Sequence, residues 1–316
     1  MKKTIALLLL FASLLTVSSC GGSARPETTT NNEQTSLSET NSPSDTAPVG
    51  IASENESEAA QDVDDEMTVL NDDNCLVRVS DFANDELWGI TIDLYCENKT
   101  ESSPYRVEVE AASVNGVEVD ALFSCEISPG KSKNDSISIT PPDDLSDASE
   151  FTDIELVFSI YNANLPAASA TKKEFHIYPA GIENATSFER SPGAKDIVII
   201  DNDDVSVTVV GFGRDSLYEC MVNLFIENKT GKDLDFSASD VKLNGKDCDP
   251  MFSVTVRAGR SAFRSIGWLH STLWEKYIWD VSDISLTITA AESGDPEKIT
   301  ASESAKFNAP SGLGAT

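Results

Sequence analysis

Most of this 316-residue chain is written twice. Glu97-Asn98-Lys99-Thr100 returns as Glu227-Asn228-Lys229-Thr230, and Asn115-Gly116 returns as Asn244-Gly245. Phe123-Ser124 matches Phe252-Ser253, Gly130 and Ser132 match Gly259 and Ser261, and Asp153-Ile154 with Leu156 matches Asp283-Ile284 with Leu286. The landmarks keep one order at a shift of 129 or 130 residues, so a single fold solution has to serve both copies. The copies span residues 74–181 and 195–310. A polar segment, 182–194, carries Ser191-Pro192-Gly193 and reads as a linker, and 311–316 as a tail.

Inside each copy the apolar period is two. Trp88, Ile90, Ile92, Leu94 and Cys96 alternate with Gly89, Thr91, Asp93, Tyr95 and Glu97, and in the second copy Tyr218, Cys220, Val222, Leu224 and Ile226 alternate with Glu219, Met221, Asn223, Phe225 and Glu227. Similar runs at 77–81, 105–114, 123–127, 136–140, 153–161 and 174–178 are bounded by Asn, Gly, Pro or Asp turn residues. About seven strands per copy predict an all-β chain of two tandem immunoglobulin-like β-sandwich domains. The Cys…Trp…Cys spacing of antibody domains is missing, so the expectation concerns architecture alone.

Glu-Asn-Lys-Thr after a strand, an Asn-Gly turn, Pro129-Gly130-Lys131 and the run Asp153 to Phe158 resemble tandem immunoglobulin-like domains of Gram-positive bacterial surface lipoproteins. The resemblance covers both copies, although copy two has Ala258-Gly259-Arg260 in place of Pro-Gly-Lys. It implies a scaffold and brings no catalytic residues.

The N-terminus fits such a group. Lys2-Lys3, an apolar run from Ile5 to Leu15 and small residues before Cys20 resemble a lipoprotein signal peptide, residues 1–19, with Cys20 the lipidated mature N-terminus. Two acyl chains would anchor the chain stably to the bacterial cell membrane, on its extracytoplasmic side. Residues 20–73 are polar, with thirteen acidic residues and Arg25 the one base, and predict a disordered acidic tether.

Five cysteines remain: Cys75, Cys96, Cys125, Cys220 and Cys248. Each falls opposite an aliphatic residue of the sister copy, which favours buried thiols acting as small hydrophobes. A bridge such as Cys96–Cys125 or Cys220–Cys248 is the alternative. Acidic clusters open both copies, Asn71 to Asn74 and Asp201 to Asp204. Asp201, Asp203 and Asp204 make a weak calcium candidate against a plain charged turn.

Residues 267–280 stand out because they hold three of the four tryptophans, while the matching part of copy one, Pro141 to Ala148, has no aromatic residue. Ser271 would cap a short helix with Trp274 and Tyr277 on one face. Trp268, His270, Trp274 and Tyr277, with Arg264 just before them, are candidate ligand-binding residues, on the principle that loops carry binding. The alternative is an aromatic plug over the end of the sandwich.

Charge narrows the partners. A formal charge of −30 argues against nucleic acid. Copy one holds 7 basic and 19 acidic residues, whereas residues 195–316 hold 12 and 19, so the arginines near the aromatic stretch mark the distal copy as the contact surface. With two histidines in the chain, no catalytic set, metal centre or cofactor is expected. The expected function is a lipid-anchored binding protein whose distal copy recognises a peptide or glycan. The alternative is a spacer that docks on another envelope protein.

Overall fold

A computed structural model of the chain describes residues 67–85, 89–140, 145 and 151–315. The expected signal peptide, Cys20, Trp88 and all of the tether before Met67 lie outside the described residues.

The fold is all-β, with sheets stacked in sandwich fashion. Copy one supplies β1 (Thr68–Asn71), β2 (Cys75–Asp85), β3 (Gly89–Asn98), β4 (Tyr105–Val114), β5 (Val117–Val119), β6 (Phe123–Ile127), β7 (Ser132–Ile139), β8 (Ile154–Asn162), a helical turn α1 (Pro166–Ser169) and β9 (Thr171–Ile177). Copy two follows with β10 (Ile197–Asp201), β11 (Val205–Gly213), β12 (Tyr218–Asn228), β13 (Leu234–Leu243), β14 (Lys246–Asp247), β15 (Ser253–Val256), β16 (Ser261–Leu269), α2 (His270–Glu275), β17 (Asp283–Glu292) and β18 (Ile299–Asn308). The described residues thus give nine strands per copy, where seven were expected. The added ones, β1 and β5 with their counterparts β10 and β14, are two to five residues long, too short to show a period.

Strands β1-β2-β3-β7 form one sheet of copy one, and β14-β13-β17-β18, with β15 on β13, form one sheet of copy two. The other two sheets are joined. The order β10-β11-β12-β16-β5-β4-β8-β9 runs through both copies, because β16 pairs in parallel with β5 at Ser261↔Val117 and Ala262↔Glu118. Each copy keeps its own apolar core: Ile90, Ile92, Leu94, Ile137 and Phe158 are among the buried residues of one, and Val222, Leu224, Phe236, Ile266 and Ile288 of the other. Fully burying side chains of this size contributes about 1.5–3 kcal/mol each, which is why the period-two pattern fixes which face turns inward.

The repeated landmarks are hydrogen-bond knots. Asn98 and Asn228 are buried; each side-chain NH2 donates to strand-end carbonyls, Ser103 and Ile127 in one copy, Lys232, Val256 and Arg257 in the other. Each amide oxygen accepts from the threonine two residues on. The intervening lysine reaches back to the opening hairpin: Lys99 Nζ donates to Asp72 O, and Lys229 Nζ to Asn202 O. At the Asn-Gly turns both residues take positive φ, 50° and 80° for Asn115-Gly116 and 52° and 76° for Asn244-Gly245, the type I′ geometry that suits a two-residue hairpin. The asparagine oxygens there accept from the backbone N–H groups of Thr152 and Asp153, and of Ser282 and Asp283, stitching the turn to the next long strand.

Three expected boundaries move. The segment assigned to the tether ends early, since β1 pairs with β2 from Thr68 onward. The polar linker is packed: Phe188 lies 6.1 Å from the rings of both Phe225 and Phe263, and Arg190 forms a paired salt bridge to Asp196 at 2.6 and 3.0 Å. Phe188 explains why Phe225, in the outward phase of β12, is nonetheless buried. The tail is also docked, with Leu313 and Ala315 buried in the core of copy two.

Candidate functional site

The aromatic stretch after β16 divides by a helix-ending motif. Helix α2 starts at His270, with Leu269 in the capping position and no side-chain cap, so Ser271 does not play the part expected of it. At the other end Tyr277 N–H donates to Trp274 O at 3.0 Å and Ile278 N–H to Leu273 O at 2.9 Å. This is the bond pair of a Schellman motif, and its usual apolar contact is present in Leu273 and Ile278, both buried. The left-handed position is normally glycine; here it is Tyr277, at φ 54°. Turning Leu273 and Ile278 inward leaves Trp274, Tyr277 and Trp279 outward, at 53%, 73% and 50% exposure.

The exposed rings form a cluster. Trp274 and Trp279 meet edge to face at 4.7 Å, and the His270 ring lies 5.8 Å from Trp274, with its Nδ1 3.4 Å from Glu219. The docked tail braces the loop from beneath: Val281 N–H donates to Leu313 O at 2.6 Å, Ala315 N–H to Ile278 O at 3.3 Å, and Arg214 to Gly312 O. Gly314 is required here, because a Cβ on it would stand 2.4 Å from Trp279 O.

Two of the sequence-derived residues do not belong to this surface. Trp268 is 1% exposed, and its indole N–H donates to Cys248 O at 2.9 Å, so it is the plug and offers no face to a ligand. Arg264 points the other way, its Nη2 3.2 Å from Glu118 of copy one. The distal arginines are therefore not a free contact surface; they hold the joint between the copies.

That joint escaped the sequence analysis. Arg257 donates to Glu155 through Nη1 at 2.7 Å and Nη2 at 3.1 Å, and to Glu118 through Nε at 3.2 Å. Arg260 Nε adds a bond to Glu155 at 3.0 Å, and Ser113 Oγ another at 2.5 Å. Burial alone would raise the Glu155 pKa. The bonds from Arg257, Ser113 and Arg260 outweigh it and hold the carboxyl at about 2. Beside the joint lies a groove of about 640 Å3 lined by Val119, Leu122, Lys172, Asp233, Arg257 and Arg264. Its lysine is already paired, with Glu110 at 2.6 Å. The one available sequence signal was charge: arginines flank the β15–β16 turn only in copy two, whereas Glu155 faces them from copy one and matches Ser285.

The remaining candidates lie in hairpin turns and in the cores. Asp201, Asp203 and Asp204 are exposed in the β10–β11 hairpin turn, where Asn202 Oδ1 accepts from the N–H groups of Asp204 and Val205. Asp72 Oδ1 does the same for Asn74 and Cys75 in copy one. All five described cysteines are buried free thiols. Desolvation raises each of them, Cys75 and Cys220 to about 12.

The chain matches no protein-family profile. It also matches no curated protein. Among solved structures it is similar to a YadV chaperone, at 9% identity over 74% of this chain and 99% of that one, with a TM-score of 0.23. It is also similar to a protein of unknown function from Porphyromonas gingivalis W83, at 12% identity over 74% and 98%, with a TM-score of 0.21. Scores this low fix neither fold nor function.

Proposed function

We propose that this chain is a lipid-anchored extracytoplasmic binding protein whose distal copy recognises a peptide or glycan through Trp274, Tyr277 and Trp279. One observation carries the reading: three large aromatic side chains stand outward on a braced loop whose sequence counterpart in copy one, Pro141 to Ala148, holds no aromatic residue. Exposed aromatic faces suit stacking on sugar rings and gripping of peptide side chains, and a loop pinned by its neighbours loses little entropy when it binds. Tyr277 supports the same view, since its backbone conformation is one that packing would assign to glycine. Trp274→Ala with Trp279→Ala in the full-length chain is the test, by retention on cell-wall polysaccharide and by pull-down from envelope extract. Loss of one retained partner supports recognition, and its chemistry tells glycan from protein. Equal retention by both forms refutes it.

The joint favours a second reading, a spacer lipoprotein that docks on another envelope protein. A nine-stranded sheet crossing both copies, clamped by Arg257 and Arg260 on Glu155, suits a strut better than a hinged pair. Uniform docking that ignores the aromatic substitutions would favour it.

A further inference from the structure

Copy one carries a side-chain cluster that copy two replaces. His176 on β9 lies opposite Glu155 on β8 in the strand register, just as Lys306 lies opposite Ser285 in copy two. Copy two holds one ion pair at this place, Lys306 Nζ to Asp283 at 3.0 Å. In copy one the equivalents of Asp283, Ser285, Ser304 and Lys306 are Asp153, Glu155, Glu174 and His176. A fixed cation has become an imidazole, and two hydroxyls have become carboxylates.

The geometry around the imidazole is directional. Nδ1 is 2.7 Å from Asp153 Oδ1, and Nε2 is 3.2 Å from Glu174 Oε1. When Nδ1–H donates to Asp153, Nε2 faces a carboxylate oxygen, so either a second ring proton or a metal ion must lie between them. Tetrahedral zinc with bonds of about 2.0–2.1 Å sets its ligand atoms about 3.3 Å apart, close to the separation here. A carboxylate behind the non-ligating nitrogen is the support that metal-bound histidines regularly have. Glu155 also has an oxygen within 4.8 Å of the other two ligand atoms, but its carboxylate is held by Arg257, Arg260 and Ser113 and is left out of the ligand set. The ring is stacked on Tyr178 at 5.5 Å, which fixes its plane, while Glu174 stays 59% exposed and leaves the site open from solvent.

We propose that His176 Nε2 and Glu174, with Asp153 orienting the imidazole, bind a first-row divalent cation of the zinc type. Nitrogen with carboxylate oxygen is a donor set suited to such ions, and solvent completes the coordination. This site is independent of the aromatic loop and of the function proposed for it.

Calorimetric titration of the full-length chain with zinc chloride tests the site. One saturable event per chain is expected, accompanied by a shift of the His176 Nε2 resonance in nitrogen NMR. His176→Lys, which installs the residue of copy two, is expected to abolish it, and Glu174→Gln, on the exposed side, to weaken it at least tenfold. Asp153→Asn is expected to cost about 10–100-fold in affinity, the usual effect of losing such an orienting group. His270→Ala leaves the event intact. The proposal is overturned by no saturable heat up to millimolar zinc, which leaves a proton as the only cation there, or by the same heat in wild type, His176→Lys and Glu174→Gln, which would assign the zinc to other groups.

Discussion

Replacing Glu155 by Gln keeps the side-chain shape in the joint and removes its charge. The carboxylate is 2% exposed and accepts from two arginines of the other copy, so the substitution leaves Arg257 and Arg260 without their main anion. Depression of the Glu155 pKa from an ordinary 4.5 to about 2 corresponds to about 3 kcal/mol favouring the folded state. Breaking a buried pair from one side costs about 3–5 kcal/mol, so the two routes agree. Because the folded pKa lies below the unfolded one, this contribution is complete above about pH 4.5 and disappears as pH falls toward 2. Urea unfolding of both forms between pH 6 and pH 2.5 measures it. The gap between wild type and Glu155→Gln should be near 3 kcal/mol at pH 6 and close steadily below pH 4.5. Since the cores are separate, the variant should also show copy one and copy two unfolding apart. A gap below about 1 kcal/mol at pH 6, or one that does not change with pH, refutes the reasoning.

Trp268→Ala should destabilise by about 3–5 kcal/mol, whereas Trp274→Ala should cost less than about 1 kcal/mol; chemical denaturation compares them, and iodide should quench Trp274 and Trp279 but not Trp268. Tyr277→Gly relieves the left-handed residue and should be neutral or stabilising by up to about 1 kcal/mol in thermal melts, while losing any ligand; clear destabilisation would make Tyr277 a packing residue. Asn228→Ala strips three carbonyls and a threonine of their shared partner and should cost about 2–3 kcal/mol in the same assay. The five described cysteines should resist iodoacetamide at pH 8 in the folded chain and react once urea is added, as mass spectrometry will show.

What sequence could show follows from the range of each interaction. Strand phase is local, so Ile90 to Cys96 and Cys220 to Ile226 are buried as their alternation requires. The landmarks were visible because they recur, yet their roles were not: nothing in Glu-Asn-Lys-Thr alone reveals that the asparagine is buried and bonded to carbonyls 28 or 29 residues away. The joint was hidden for a stronger reason. Arg257 and Glu155 are separated by 102 positions, and a contact between copies leaves no periodic trace. Polar composition also misled at Phe188, Leu313 and Thr68, where short segments pack without an apolar run of their own. The aromatic loop was legible by contrast with copy one. Its division into buried and exposed rings waited on the left-handed turn at Tyr277, which no residue there announces.

The pairing of β16 with β5 is head to tail: two different edges of one repeated plan meet. Such a contact does not close on itself, and identical copies could in principle extend it without limit. Strand β7, the counterpart of β16, ends its sheet in copy one, and β14, the counterpart of β5, ends its sheet in copy two. The charges of the joint do not recur at these two edges. Where the joint has Arg257, Arg260 and Arg264, copy one has Ser128, Lys131 and Asp135; where it has Glu118 and Glu155, copy two has Asp247 and Ser285. The matched set exists once, and a second molecule offers neither edge its complement. The ionic set that holds β16 to β5 is thus written into the chain once, between its two copies.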